Sequence, residues 1–115
     1  MYPSQLEFIK HIEDECVFLL KVTLGKTQQQ ILDDEILCKA IVRSLEIIGE
    51  ASKKVDEQLK TKYPQIDWKS MAGMRDKLIH DYFGIDYDIV LDAIENDIPE
   101  LHHEIKRLLS IENNL

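Results

Sequence analysis

The feature that most limits the fold of this chain is a single sustained apolar stripe. Leu37, Ala40, Ile41, Leu45, Ile48, Ala51, Val55 and Leu59 recur at three- and four-residue spacing, the pattern of one face of an α-helix. Asp33 or Asp34 stands ahead of it as a candidate N-cap, and Tyr63-Pro64 forbids its continuation, because the residue before a proline is pushed out of the α region. The pattern predicts one helix from about residue 34 to 62, spanning about 40 Å at ~1.5 Å per residue. A helix that long with one dry face predicts the spine of a bundle. Gly49 inside it costs up to ~1 kcal/mol of helix propensity and marks a point where another helix packs close.

The rest of the chain supplies partners for that spine. Ser4-Gln5-Leu6-Glu7 reads as a capping box opening a first helix, with Ile9, Ile12, Cys16, Leu19 and Leu20 inward and Gly25 as its stop. Thr27 to Ile31 reads as a connection. Asp67 is a candidate N-cap for a third helix that carries Trp68, Met71, Met74, Leu78 and Ile79 inward and ends at Gly84. Asp86 caps a further segment with Ile89, Val90, Ala93, Ile94, Leu101, Ile105, Leu108 and Leu109, where Pro99 predicts a kink or a break recapped by Asp97. Strand signals are missing: no hairpin dipeptide and no strict period-two run occurs. The expected architecture is all-α, an antiparallel four- to five-helix bundle forming one domain over residues 1–115.

No apolar run is long enough to span a bilayer and no basic segment precedes an apolar one at the N-terminus, so a cytoplasmic protein with no membrane partner is expected. Cys16 and Cys38 fall at apolar helical positions without paired spacing and read as buried free thiols. The net charge of −8 opposes nucleic-acid binding. Its distribution softens that objection. From Cys38 to Lys77 nine Lys/Arg face six Asp/Glu, a balance of +3, whereas the remainder holds five against sixteen, or −11.

The chemistry is concentrated in Arg75-Asp76-Lys77-Leu78-Ile79-His80-Asp81-Tyr82. An arginine fork grips phosphate oxygens bidentately, and an imidazole can take or give the proton of a hydroxyl near neutral pH. Five residues apart, Arg75 and His80 diverge by ~140° on an ideal helix and rise ~7.5 Å. One copy is therefore a poor site, and two copies meeting across a two-fold axis make a better one. Such a cleft suits RNA cleavage: His80 would move the proton of the 2′-hydroxyl or the leaving 5′-oxygen while Arg75 stabilises the phosphorane, with no metal required. Asp76 and Asp81 beside His80 favour its protonated form. The plainer alternative is an Arg and a His that only complement a helix C-terminus.

Other constellations are weaker. Glu100-x-x-His103 is half of a di-iron pattern and has no second copy. His102 and His103 diverge on a helix, and His11 stands alone; all three read as surface residues. No Gly-rich phosphate loop or paired-Cys zinc pattern occurs.

Ile36-Leu37, the run Ala40 to Ala51 containing Leu-Glu-Ile-Ile-Gly-Glu-Ala, Tyr63-Pro64-Gln65-Ile66-Asp67-Trp68, Met74 to Gly84 with Arg-x4-His-x-Tyr, and Asn96 to Leu101 occur in this order. In them the chain resembles the HepT-like branch of the HEPN superfamily. The resemblance implies a homodimeric helical bundle acting as a metal-independent endoribonuclease toxin, with Arg75 and His80 catalytic and no cofactor. It also implies a nucleotidyltransferase antitoxin of the MntA type that attaches AMP to Tyr82, placing charge and bulk where the RNA phosphate must bind. Lys77, Asp76 and Asp81 would support the site. Asp76 departs from the pattern, since Asn commonly follows the motif arginine in this group. A carboxylate there repels phosphate and is expected to pair with Arg75 or Lys77, so that it either weakens the nuclease or serves mainly to orient His80. The alternative function is a non-catalytic helical adaptor that binds a nucleotidyltransferase and presents nucleotide or substrate to it.

Overall fold

The structure, a computed structural model, describes residues 4–78 and 84–114. Three helices make the frame: α1 (Gln5–Thr23), α3 (Glu35–Lys54) and α8 (Ile98–Asn113). α1 packs on both α3 and α8. Its direction follows from two links: Gln5 Oε1 accepts from the Asp56 amide at 2.7 Å, and the Ser44 hydroxyl reaches the Glu15 carbonyl at 3.5 Å. Early α1 residues thus meet the end of α3, so the two helices are antiparallel. Ile9, Ile12 and Leu19 of α1, Ile41, Leu45 and Ile48 of α3, and Ile105 and Leu108 of α8 are fully buried between them. Each such side chain contributes ~1.5–3 kcal/mol of apolar burial.

Helix starts follow the predicted caps, with differences in detail. Ser4 accepts from the Leu6 amide at 3.1 Å, but Glu7 turns to Lys10 at 3.8 Å and leaves the capping box half-made. Gly25 ends α1 at φ +73°, a backbone conformation that favours glycine. The expected connection after it is instead a short helix, α2 (Gln28–Leu32), opened by a full capping box between Thr27 and Gln30. Asp34 caps α3 by accepting from the Leu37 amide at 3.0 Å.

The predicted long helix is two helices. α3 stops at Val55, whose ψ of 132° is extended, and α4 (Glu57–Lys62) restarts under an Asp56 N-cap that accepts from the Leu59 amide at 2.9 Å. The stripe survives the break, since Val55 and Leu59 are both buried. Two interactions favour the break: Gln5 takes the Asp56 amide from outside the helix, and the Asp56 carboxylate supplies the new cap. Periodicity alone cannot detect such a restart.

The predicted third helix is also divided, into α5 (Trp68–Ala72) and α6 (Met74–Leu78), with Gly73 between them. Asp67 caps α5 through the Ser70 amide at 2.9 Å. The expected continuation of α6 through Phe83 falls on residues 79–83, outside the described residues. Beyond them the Asp86 amide returns to the Leu78 carbonyl at 2.8 Å, and Asp86 caps α7 (Tyr87–Asp92).

α7 joins α8 through a π-helical turn, Ala93–Asp97. The break recapped by Asp97 does not occur: Asp97 makes no side-chain cap bond, and the Ile98 amide reaches back to the Ala93 carbonyl. Pro99 has no amide hydrogen, and its ring would crowd the carbonyl one α-turn back; the wider turn accommodates both. At its other end α8 is clamped to α4. Tyr63 donates to Glu112, Lys62 lies 2.7 Å from the same carboxylate, and the Trp68 indole donates to the Tyr63 carbonyl at 3.0 Å. The Lys62 and Tyr63 donors hold Glu112 below the usual carboxylate range, while burial pushes the Tyr63 phenol up to about 12.

Cys16 and Cys38 are free and buried. Burial, with Glu13 and Glu15 adding to it, pushes the Cys16 thiol up to about 12, so it packs as an inert side chain. Among the described residues, no helix is long and apolar enough to cross a membrane.

Candidate functional site

The candidate site is built on α6. Met74 and Leu78, four residues apart, are buried, which turns Arg75, Asp76 and Lys77 to solvent. α6 and α5 both rest on α3, and Gly49 sets how closely. A Cβ at position 49 would lie 3.1 Å from the Met71 carbonyl oxygen and 3.6 Å from Met74 Cβ. The close packing expected at this glycine is therefore found, and its reason is a backbone carbonyl that leaves no room for a methyl group.

One turn before Gly49, Glu46 meets the motif. Its Oε2 lies 3.4 Å from Arg75 Nε, and its side chain is 19% exposed against 62% for Arg75. Further along the same helix Arg43 bridges to Glu50 at 3.3 Å. Arg75 thus sits at the edge of a row of paired charges on α3. The expected pairing of Asp76 with Arg75 or Lys77 is not what forms: Arg75 pairs with Glu46, and Lys77 Nζ donates to the Ser70 hydroxyl at 2.6 Å. Asp76 is exposed. Neighbours on one helix turn diverge by ~100°, so the cations face away from Asp76 toward partners on other elements.

Away from α3, residues within the span 65–71 together with Met74 of α6 face α8 across a cleft of about 270 Å³. Its floor is Ile66, Met71, Met74, Ile98 and Leu101, and its walls carry Asp67, Asp97, Glu100 and Glu104. Burial raises the Asp97 carboxyl above its ordinary range, helped by Asp92, Glu100 and Asp67 and opposed by Lys77. The positive balance read along residues 38–77 is therefore divided in space, with Arg43 and Arg75 on the α3 side, Lys77 acting on Asp97 at the cleft and Lys62 paired with Glu112 of α8.

His80, Asp81 and Tyr82 lie outside the described residues, so the predicted Arg75–His80 site has one described member. His102 and His103 line a shallow depression on α8 with Pro99, Lys106 and Arg107, and His11 is exposed on α1. Among the described residues, no group of three or more His, Cys, Asp or Glu is arranged to hold a metal ion.

This arrangement, an exposed arginine on a short helix braced against a long one, sits within residues 12–108, which match the family model described as Ribonuclease HepT-like. The chain belongs to the HepT-like ribonuclease family. Two relatives align over nearly their whole length. A protein of Caldanaerobacter subterraneus subsp. tengcongensis named "Putative RNase TTE0752" is 44% identical, covering 91% of this chain and 94% of its own. The "Probable ribonuclease HepT" of Thermococcus cleftensis is 36% identical over 94% of this chain and 98% of its own. No solved structure matches the chain.

Within this HepT-like bundle, Glu46 is the residue that sequence reasoning did not assign. It stood in the run Leu-Glu-Ile-Ile-Gly-Glu-Ala as part of a pattern, with no role. The signal was present in its spacing: three residues before the glycine of close approach, a side chain lies on the neighbouring turn of the same helix face and can reach whatever packs there.

Proposed function

We propose that this chain is a metal-independent endoribonuclease, the toxin of a toxin–antitoxin pair, with Arg75 and His80 as its catalytic groups. Membership of the HepT-like ribonuclease family is the observation that carries the reading. In the proposed reaction the ribose 2′-oxygen attacks the adjacent phosphorus as its proton passes to an imidazole. The P–O5′ bond breaks, the 5′-oxygen takes a proton from an imidazolium, and a 2′,3′-cyclic phosphate and a 5′-hydroxyl result. Arg75 stabilises the charge of the phosphorane.

Two copies supply the cleft. The solvent side of α3 supports this, because Ile36, Ala40, Arg43, Ile47 and Glu50 form one stripe there, with Ile36 82% exposed. The stripe runs to the Glu46–Arg75 pair, so a homodimer along it brings two motifs near one axis. AMPylation of Tyr82 by an MntA-type nucleotidyltransferase silences the enzyme, by putting negative charge and bulk where phosphate binds.

Purified protein incubated with cellular RNA tests the reading. Cleavage that persists in EDTA and disappears in both Arg75→Ala and His80→Ala is expected. Mass spectrometry after incubation with the nucleotidyltransferase and ATP should show added AMP, lost in Tyr82→Phe. The net charge of −8 and the carboxylate-walled cleft favour a second reading, a non-catalytic adaptor that presents nucleotide or substrate to the nucleotidyltransferase. Intact RNA from cells whose growth the protein still halts would point to that adaptor.

A further inference from the structure

We infer that Glu46 is a positioning residue for Arg75, holding the guanidinium by its Nε edge so that its terminal edge faces the scissile phosphate. The inference rests on the ribonuclease reading above and extends it to a residue on a different helix from the motif. Three observations lead to it. The Glu46 carboxylate approaches Arg75 at Nε, with Oε2 3.4 Å away, as an ion pair. A guanidinium has five donors, and an acceptor on the Nε side leaves the two-nitrogen fork for a bidentate oxyanion. The carboxylate is the more enclosed of the two groups, its side chain 19% exposed against 62% for the arginine. The packed partner thus lies on the helix face and the arginine reaches it from the solvent side.

The third observation is the close approach at Gly49. α5 and α6 can press onto α3 there because a Cβ would fall 3.1 Å from the Met71 carbonyl, and that contact brings α6 within reach of Glu46 one turn away. The glycine and the glutamate thus act together: one sets the distance between the helices, the other uses it to aim the arginine. A free arginine on a short exposed helix would sample many rotamers, and each would have to be frozen when phosphate binds. Glu46 removes that cost before substrate arrives. A carboxylate beside a phosphate site also repels the substrate, so the arrangement trades ground-state affinity for orientation.

The two effects separate in kinetics. In a dimeric full-length protein, Glu46→Ala is expected to lower kcat on a ribo-oligonucleotide at least tenfold, with KM unchanged or reduced. Glu46→Gln, which keeps an oxygen acceptor for Nε in the same volume, should recover most of the loss. In an Arg75→Ala background, Glu46→Ala should cost nothing further, because the two residues act as a unit. Arginine Nε–H resonances in ¹⁵N NMR give a readout independent of turnover: the Arg75 signal should exchange slowly in the wild type and in Glu46→Gln, and quickly in Glu46→Ala. Wild-type protein that cuts no RNA would overturn the nuclease reading and this inference together. Cleavage by the wild type with equal or faster cleavage by folded Glu46→Ala would overturn this inference alone. If Glu46→Ala does not fold, Glu46→Gln decides: slow Nε–H exchange and near-normal kcat support the role, and fast exchange overturns it.

Discussion

The two flanks of α6 are made from the same kinds of residue and are opposite in character. On the α3 flank, Arg75 meets one carboxylate at a packed helix crossing, and the next pair along, Arg43 and Glu50, also cancels. On the α8 flank, Lys77 donates to Ser70 at the edge of a cleft walled by four carboxylates, Asp67, Asp97, Glu100 and Glu104, and its charge acts on Asp97. A phosphate approaching the first meets a balanced row with an exposed arginine; approaching the second, it meets excess negative charge within a Debye length of ~8 Å. Two cations two residues apart are therefore not equivalent. Their value for RNA is set by what packs beside them, and only the α3 flank suits a polyanion.

The largest effect should come from removing what both flanks share. Leu78 is fully buried beneath α6, and Leu78→Ala is expected to cost ~2–5 kcal/mol and lower the Tm by roughly 10 °C or more. Activity should fall with it, because neither Arg75 nor Lys77 keeps its place. A melting temperature within a degree or two of the wild type would mean that α6 is not held by this packing.

Gly49→Ala should separate the flanks. The added methyl would sit 3.1 Å from the Met71 carbonyl, so α5 and α6 must shift away from α3 by a few tenths of an ångström. Strain of ~1–3 kcal/mol is partly offset by up to ~1 kcal/mol of better helix propensity, and stability changes modestly. RNA cleavage should nevertheless drop at least tenfold, because the Glu46–Arg75 distance depends on that contact. Unchanged cleavage would show that the α3 flank does not frame the site.

The sequence carried the frame of this comparison better than its contents. Side-chain period, Asp67 and Asp86 as caps, Gly49 as a close approach, and the α3 cap as one of Asp33 and Asp34 are local signals, and each was legible. Breaks that leave the period intact were not: Val55 and Leu59 stay on the stripe whether or not the backbone restarts at Asp56. The reason lies in Gln5, fifty-one residues away, which takes the Asp56 amide. The Thr27–Gln30 capping box was legible but was overshadowed by three glutamines that resemble a loop. Motif residues could be named from chemistry, while the partner of Arg75 could not, because Glu46 reaches it only through the packing of α3 on α6.

Asp76→Asn is a smaller test, confined to the solvent edge between the flanks. Asp76 is exposed, and the charge pairs of Arg75 and Lys77 lie elsewhere, so its remaining influence on substrate is electrostatic. Exposed charges of this kind are worth ~0.2–1 kcal/mol. The substitution should raise kcat/KM on RNA about two- to fivefold at low salt, with the gain shrinking as salt is added. A loss of activity would give Asp76 a direct part in the site, such as orienting His80.

The smallest effect belongs to the α8 flank, and its sign distinguishes the two ends of α8. Asp97 has its carboxyl raised by burial and by Asp92, Glu100 and Asp67. In acid, the folded and unfolded forms are both protonated; as pH rises the unfolded chain ionises first, so the stability present at low pH is lost through the folded pKa. Asp97→Asn should therefore be slightly more stable than the wild type at neutral pH and equal to it in strong acid. Because Asp97 is only partly withdrawn from solvent at the cleft wall, screening keeps the gain to a small shift in Tm. Glu112 at the far end of α8 is lowered by Lys62 and Tyr63, so its contribution is present at neutral pH and disappears as pH falls through its folded pKa. Glu112→Gln should accordingly lose stability at neutral pH and match the wild type in acid. Thermal melts of the two variants from about pH 3 to pH 7 should diverge from the wild type in opposite directions. Parallel curves for Asp97→Asn and the wild type would mean that the carboxylates of the cleft do not crowd one another, and the contrast between the flanks would reduce to Arg75 alone.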